Sequence, residues 1–202
     1  MGTHLNRGQT LANSAQSYPP QKLHDLIDKA TFTQKYVDLN FPSSRAVLTL
    51  TAPAFGAVLA SGSMQGYLFD GTAVTSEQLF FYEEIPHAYQ AGTSIQFHVH
   101  WSPATADAGN VKWFIDYSWC NRNAVWSVPT TISIVQAASG TAWTNQRADF
   151  AAIVGTGMTA GSSFAIRIYR TPADAQDTYE HNAWFIQFGI HLYVNSLGSA
   201  GL

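Results

Sequence analysis

The stretch Ser94–Trp101 reads SIQFHVHW and alternates between apolar and polar side chains along its length. Its apolar positions are Ile95, Phe97, Val99 and Trp101. Because successive side chains of a β-strand point to opposite faces, this alternation predicts a strand with its apolar face in a core. The other face carries His98 and His100, which are therefore expected on the wetter side of the strand.

Short segments of the same kind follow one another from about residue 36, separated by Gly, Pro and Asn. The predicted strands are 46–51, 55–60, 67–69, 78–84, 94–101, 111–119, 130–136, 164–170 and 184–193. The surface loop predicted at Pro103–Asn110 suggests that the strands flanking it pair antiparallel. In the last segment, one continuous apolar face is expected from Trp184, Ile186, Phe188, Ile190 and Leu192.

No segment predicts a long helix, so the fold class is expected to be all-β, an antiparallel jelly-roll-like sandwich. The first 35 residues are polar and lack this periodicity, apart from a helical spacing of apolar residues that predicts a short helix at Lys22–Ile27. The predicted organisation is an irregular N-terminal arm at 1–35, loosely structured or docked on a partner, and one sandwich domain at 36–202.

Charged residues make up only 11% of the 202 residues, against about 25% in an average soluble domain. A surface with so few charges favours a protein covered by identical copies or by a larger assembly. The net charge of −3 gives no basic footprint for nucleic acid, and no apolar run is long enough to predict a membrane span. Cys120 is the only cysteine, so synthesis in a reducing cytoplasm is expected.

His98 and His100 form the most suggestive chemical pair, because imidazoles two residues apart on a strand can converge on one metal ion. Gly92 followed by His98 and His100 resembles the start of the first cupin motif, and His191 with Asn195 resembles the tail of the second. That resemblance implies a metalloenzyme that uses His98, His100 and His191 on iron, manganese or zinc.

The cupin motif has a glutamate where this chain has Ala104 or Thr105, and its ligands point into a barrel. Here the apolar face of the strand is expected to face the core instead. The favoured interpretation is therefore structural, with the rings hydrogen-bonded to a neighbouring strand or subunit. A metal site and a pH switch remain the alternatives.

The other candidates carry weaker signals. Glu83 and Glu84 are adjacent on a strand and should point to opposite faces. Asp116, on the same face as Lys112, is expected to reach the His98 strand if the two strands pair. Cys120 is expected to be a small buried hydrophobe. Exposed tryptophans at 126 and 143 fit either loop packing or stacking on sugars.

Glu83–Thr93 and His98–Trp101 together resemble a group of tailed-bacteriophage proteins that pair an E-x-P-H-x-y-x-x-G-T segment with an H-V-H-W strand. Further matching stretches are Gly109–Trp119, Gly155–Met158, Arg167–Arg170, Asp177–Tyr179 and Ile190–Ser199. The likeness runs over roughly residues 36 to 200 as a string of short matches.

This resemblance implies a structural virion component, first of all a capsid decoration (cement) protein that binds the major capsid protein and stabilises the head. It also implies a homotrimer located in the virion after synthesis in the host cytoplasm. A tail, head–tail or receptor-binding virion protein is the alternative. No catalytic, cofactor-binding or metal-binding residue is assigned, no cofactor is expected, and the chain is not expected to be an enzyme.

Overall fold

The computed structural model describes residues 35–59 and 62–194, so the arm expected at 1–35 lies outside the described residues except for Lys35. The strands are β1 Lys35–Pro42, β2 Ala54–Val58, β3 Met64–Phe69, β4 Glu77–Glu84, β5 Gln96–Pro103, β6 Asn110–Cys120, β7 Thr130–Ala137, β8 Gln146–Asp149, β9 Ser163–Arg170 and β10 Ala183–Val194. A short 3₁₀ turn at Ser43–Arg45 follows β1. No helix in the described ranges is long and apolar enough to cross a membrane.

The strands form two antiparallel sheets that pack face to face. Sheet A has the order β2-β3-β10-β5-β8, with β1 also paired to β10, and sheet B has the order β4-β9-β6-β7. From β3 to β10, the orders 3-10-5-8 and 4-9-6-7 are those of a jelly roll, in which two interleaved Greek keys form a double sheet. The predicted all-β, antiparallel jelly-roll-like sandwich is confirmed.

The core lies between the sheets and is rich in aromatic rings. Phe97 and Trp101 reach it from β5, Trp113 reaches it from β6, and all three are fully buried. The rings of Trp101 and Trp113 lie 6.1 Å apart between centroids. The Trp101 indole N–H donates to Oε1 of Gln136 on β7 at 2.6 Å, which joins sheet A to sheet B by a hydrogen bond.

The predicted antiparallel pairing of the strands around Pro103–Asn110 is wrong. β5 belongs to sheet A and β6 to sheet B, so the loop crosses from one sheet to the other. The physical reason is that both strands have a strongly apolar face, and facing each other across the core buries both faces at once.

The predicted continuous apolar face of β10 is also wrong at its N-terminal end. The pairing of β10 with β5 is irregular between Phe185 and Gln187, which shifts the alternation by one residue. As a result Ala183 and Phe185 are buried in the core, whereas Trp184 lies half-buried on the other face.

Residues 46–51 are not a strand, although they lie beside the edge of β4. The Val47 N–H donates to the Phe80 carbonyl at 2.7 Å, and the Phe80 N–H donates back at 3.1 Å. The Gln78 N–H donates to the Thr51 carbonyl at 2.9 Å. This segment therefore covers part of an otherwise open sheet edge. The short strand β8 was not predicted.

A buried ion pair holds the loop between β9 and β10. Arg170 is fully buried, and its guanidinium makes two hydrogen bonds with the Asp177 carboxylate at 2.8 and 2.9 Å. The remaining donors bind the backbone carbonyls of Phe69, His181 and Tyr179. All five guanidinium N–H groups thus have an acceptor, which is the condition for burying this charge.

Candidate functional site

His98 and His100 lie on the outer face of sheet A, opposite the core-facing residues of β5, as the alternation of side chains along the strand predicts. His98 is nevertheless fully buried and His100 half-buried, so the expected wetter position is wrong for His98. Gly189 is the residue directly opposite His98 on β10. A Cβ at Gly189 would lie 2.1 Å from the His98 Nε2 atom, so only glycine leaves room for the ring to lie against the backbone.

His191 and Asp38 complete a cluster with His98, which we call the Asp-His-His cluster. Asp38 on β1 is directly opposite His191 on β10, and His191 is two residues from the partner of His98. The two imidazole rings lie 4.2 Å apart between centroids. One potential ligand atom from each residue lies within 4.8 Å of the other two.

The Asp38 carboxylate faces both rings without bonding to either. Its Oδ1 lies 3.6 Å from the Nε2 of His98, and its Oδ2 lies 3.6 Å from the Nε2 of His191. These distances are too long for hydrogen bonds. Both ring nitrogens of His98 and the Nδ1 of His191 are buried with no hydrogen-bond partner in the described chain. Such atoms normally find a partner, because an unpaired buried polar group costs free energy.

The electrostatics of the cluster keep His98 uncharged. Burial, followed by the neighbouring His191, lowers the pKa of His98 from 6.5 to about 4, whereas Asp38 acts in the opposite direction. At neutral pH the His98 ring is therefore neutral. The neutral imidazole is the form that binds metal ions.

Other polar side chains surround the cluster. The His100 ring is 5.2 Å from the His98 ring, and the Tyr36 ring is 4.9 Å from that of His191. On β8, Asp149 is opposite His98 and Arg147 is opposite His100. The Arg147 Nε contacts the Asp149 carboxylate at 2.9 Å, so this cation is already paired.

The arrangement differs from the one that the cupin resemblance implies. Of His98, His100 and His191, the structure brings the first and last into the cluster and leaves His100 beside it. The cluster lies on the outer face of sheet A, whereas cupin ligands point into a barrel. Asp38 had no sequence signal of its own, because it is separated from both histidines along the chain and meets them only through strand pairing.

The two adjacent glutamates diverge, as predicted. Glu83 is buried and its carboxylate lies 2.9 Å from the Arg45 guanidinium. Glu84 is exposed and lies 3.1 Å from His87. These carboxylates do not form a paired site.

The expected contact between Asp116 and the His98 strand is absent from the described residues, because β5 and β6 lie in different sheets. The Asp116 carboxylate instead accepts a hydrogen bond from the Arg167 Nε at 2.9 Å. Lys112 bonds to Asp174 at 2.7 Å. Both contacts lie within or beside sheet B.

Cys120 and the two tryptophans have different environments. Cys120 is half-buried, not fully buried as expected, because it is the last residue of β6. Trp143 is half-buried and its ring lies 6.4 Å from that of Trp184, which fits the loop-packing interpretation. Trp126 is 47% exposed.

A shallow groove of about 370 Å³ crosses the outer face of sheet B. Its walls include Phe80 and Tyr82 of β4, and its polar groups include Gln78, Asp116 and Arg167. The small side chain of Ala165 lines the groove, and Ala165 pairs with Tyr82 on one neighbouring strand and with Ser118 on the other. The groove therefore combines aromatic faces with hydrogen-bonding groups.

No protein-family model matches this sequence, and no curated protein matches it. Among solved structures, an infectious bursal disease virus Gx strain structure aligns with 82% of this chain at 11% identity and a TM-score of 0.40. The aligned part is 33% of that viral chain, so this chain spans about a third of its length.

Two carbohydrate-binding modules are similar at the same low level. The CBM36-1 domain of a xylanase from the hindgut metagenome of Trinervitermes trinervoides aligns with 82% of this chain and 100% of its own, at 11% identity and a TM-score of 0.38. A family 35 module from Clostridium thermocellum aligns with 75% of this chain and 97% of its own, at 11% identity and a TM-score of 0.37. Likenesses this weak assign no function.

Proposed function

We propose that this chain is a structural component of a bacteriophage virion, most specifically a capsid decoration protein that binds the major capsid protein as a homotrimer. The proposal starts from the E-x-P-H and H-V-H-W segments, which resemble those of tailed-phage proteins. Two properties of the folded chain support it: a rigid sandwich with few charges, and apolar side chains exposed in loops. As proposed, the protein acts by binding and not as an enzyme.

The observation that carries the proposal is the loop between β6 and β7. Val125 is 92% exposed, Trp126 47% and Val128 84%, so three apolar side chains within four residues face solvent. Free monomers rarely expose such groups together, and tryptophan is enriched at the energetic centres of interfaces. We assign this loop tip to the contact with the major capsid protein.

A second apolar segment fits a contact between copies of the chain. Val47 and Leu48 are about half exposed and Leu50 is fully exposed, all in the segment that covers the edge of β4. Burying these groups between subunits would remove apolar area from water and protect the edge. Three copies acting together would also bind a capsid far more tightly than one copy.

The test is binding to capsids of the phage that encodes the chain. Purified protein is mixed with heads that lack it, and the bound protein is measured by co-sedimentation. We expect saturable binding by the wild type and loss of binding by the V125S/W126S/V128S variant, with an unchanged circular dichroism spectrum. V74S, which alters a 95% exposed valine far along the chain from that loop, is the control that should bind normally.

Native mass spectrometry tests the oligomer independently. A homotrimer gives three times the 22.1 kDa chain mass. Absence of the protein from purified virions, or full head binding by the triple variant, would contradict the decoration role. A monomer at micromolar concentration would contradict the trimer alone.

The groove on sheet B supports a second candidate, a receptor-binding virion protein that recognises carbohydrate. Tyr82 is 60% exposed and can stack on a sugar ring, while Arg167 and Asp116 can bond to hydroxyl groups. A glycan-array signal that disappears in Y82A and persists in W126A would favour this candidate. An array without signal would remove its support.

A further inference from the structure

We propose that Asp38, His98 and His191 bind one divalent transition-metal ion of the zinc class on the outer face of sheet A. The site is separate from the exposed loops assigned to virion contacts, so this inference does not depend on the virion role. It also differs in position from a cupin site, because its carboxylate comes from β1 and its ligands face away from the core.

The spacing of the three groups fits a shared ion. Zinc binds imidazole nitrogen and carboxylate oxygen at about 2.0–2.2 Å, so neighbouring ligand atoms in a tetrahedral site lie about 3.4 Å apart. The Asp38 Oδ1 lies 3.6 Å from the His98 Nε2, its Oδ2 lies 3.6 Å from the His191 Nε2, and one ligand atom from each of the three residues lies within 4.8 Å of the other two. The two distances of 3.6 Å are too long for hydrogen bonds and close to the spacing of two ligands on one ion.

The unpaired nitrogens are the second line of support. His98 is fully buried, and neither of its ring nitrogens has a hydrogen-bond partner among the residues described. An ion held by Nε2 would remove one of these unpaired groups and would compensate the negative charge of Asp38. Since this carboxylate is 38% exposed, it also marks the side from which an ion can enter.

The chemistry of the ligands selects the class of metal. Two imidazoles and one carboxylate suit zinc, cobalt, nickel or ferrous iron, whereas magnesium and calcium require a shell of oxygen atoms. Three protein ligands leave a fourth position for water. The ion would join β1 to β5 and β10, since the three ligands come from these three strands.

The experiment uses the full-length protein after removal of metal with EDTA. Zn²⁺ binding is measured by isothermal titration calorimetry, and Co²⁺ binding by visible absorption, which reports tetrahedral coordination. We expect one ion per chain with micromolar or tighter affinity, and no binding of Mg²⁺ or Ca²⁺. In D38N and H191Q we expect the affinity to fall at least tenfold while circular dichroism shows a folded chain.

Two controls separate this site from other histidines. His181 lies 2.9 Å from Asp107, which is an exposed histidine–aspartate pair without a third ligand in the described residues, so H181Q should bind Zn²⁺ like the wild type. H4Q/H24Q removes histidines outside the described residues and should also bind normally. The inference is overturned if the wild type binds no stoichiometric Zn²⁺, if D38N binds with unchanged affinity, or if H4Q/H24Q abolishes binding.

Discussion

Removing the Asp177 carboxylate should strongly destabilise the sandwich, because it leaves the buried Arg170 guanidinium without its counter-charge. In D177A, the Nε and one Nη2 donor of Arg170 lose their acceptors, and the Lys112 N–H loses a 3.1 Å bond to the same carboxylate. Breaking a buried ion pair from one side costs about 3–5 kcal/mol. That range is a large fraction of the whole stability of a typical domain.

Urea unfolding followed by tryptophan fluorescence measures this loss at a fixed protein concentration, since an oligomer's stability depends on concentration. With a denaturant dependence of about 2 kcal/mol per molar, a loss of about 4 kcal/mol lowers the midpoint by about 2 M. The matched control is D107A, whose side chain is 63% exposed in its pair with His181. Its effect should stay below about 0.5 kcal/mol.

A double-variant cycle tests the reasoning behind that magnitude. R170M/D177A removes both charges, so it leaves no unpaired ion and should lose much less than the sum of R170M and D177A. A loss below about 1 kcal/mol in D177A, or full additivity in the double variant, would refute the view that Arg170 and Asp177 act as one buried unit.

Three further predictions concern single positions in the sandwich. Burial raises the pKa of Glu77 above 4.5, so the folded wild type loses stability as the pH rises from 4.5 through this raised pKa. E77Q should therefore have a higher melting temperature than the wild type at pH 7 but not at pH 3.5, and a pH-independent difference would contradict this. A Cβ at Gly155 would lie 1.9 Å from the carbonyl oxygen of Thr93, whereas a Cβ at Gly140 meets open space and only the φ of +71° there costs about 1 kcal/mol. G155A should therefore lower the urea midpoint more than G140A does, and equal midpoints would refute the clash. W101F deletes the indole N–H whose 2.6 Å hydrogen bond joins the two sheets, so it should lower the free energy of unfolding by about 1–3 kcal/mol in the same assay. A change below about 0.5 kcal/mol would show that this bond contributes little.

Most strands were predictable because the alternation of side chains is a local property. The segments 78–84, 111–119, 130–136 and 164–170 lie within β4, β6, β7 and β9 with small shifts at the ends. The prediction failed where a non-local feature decides the structure. The irregularity at residues 185–187 reverses the alternation within β10, and the assignment of β5 and β6 to different sheets depends on the packing of the whole sandwich.

The Asp-His-His cluster shows which part of a site a sequence pattern can carry. The alternation of side chains along β5 places His98 and His100 on the face opposite the core. Their closeness along the chain makes them the obvious candidate pair in the sequence. The structure instead joins His98 with His191 and Asp38, since β10 lies between β1 and β5 and brings their outward side chains together.

Glycine at position 189 adds a condition that no histidine pattern contains. The missing side chain lets the His98 ring lie against β10, which buries the ring and moves its nitrogens toward Asp38 and His191. A larger residue there would push the ring outward, where water could satisfy its nitrogens and the three ligands would separate. The capacity of this sheet face to hold an ion therefore depends on a residue that supplies no ligand, so a search for ligand spacing would miss it.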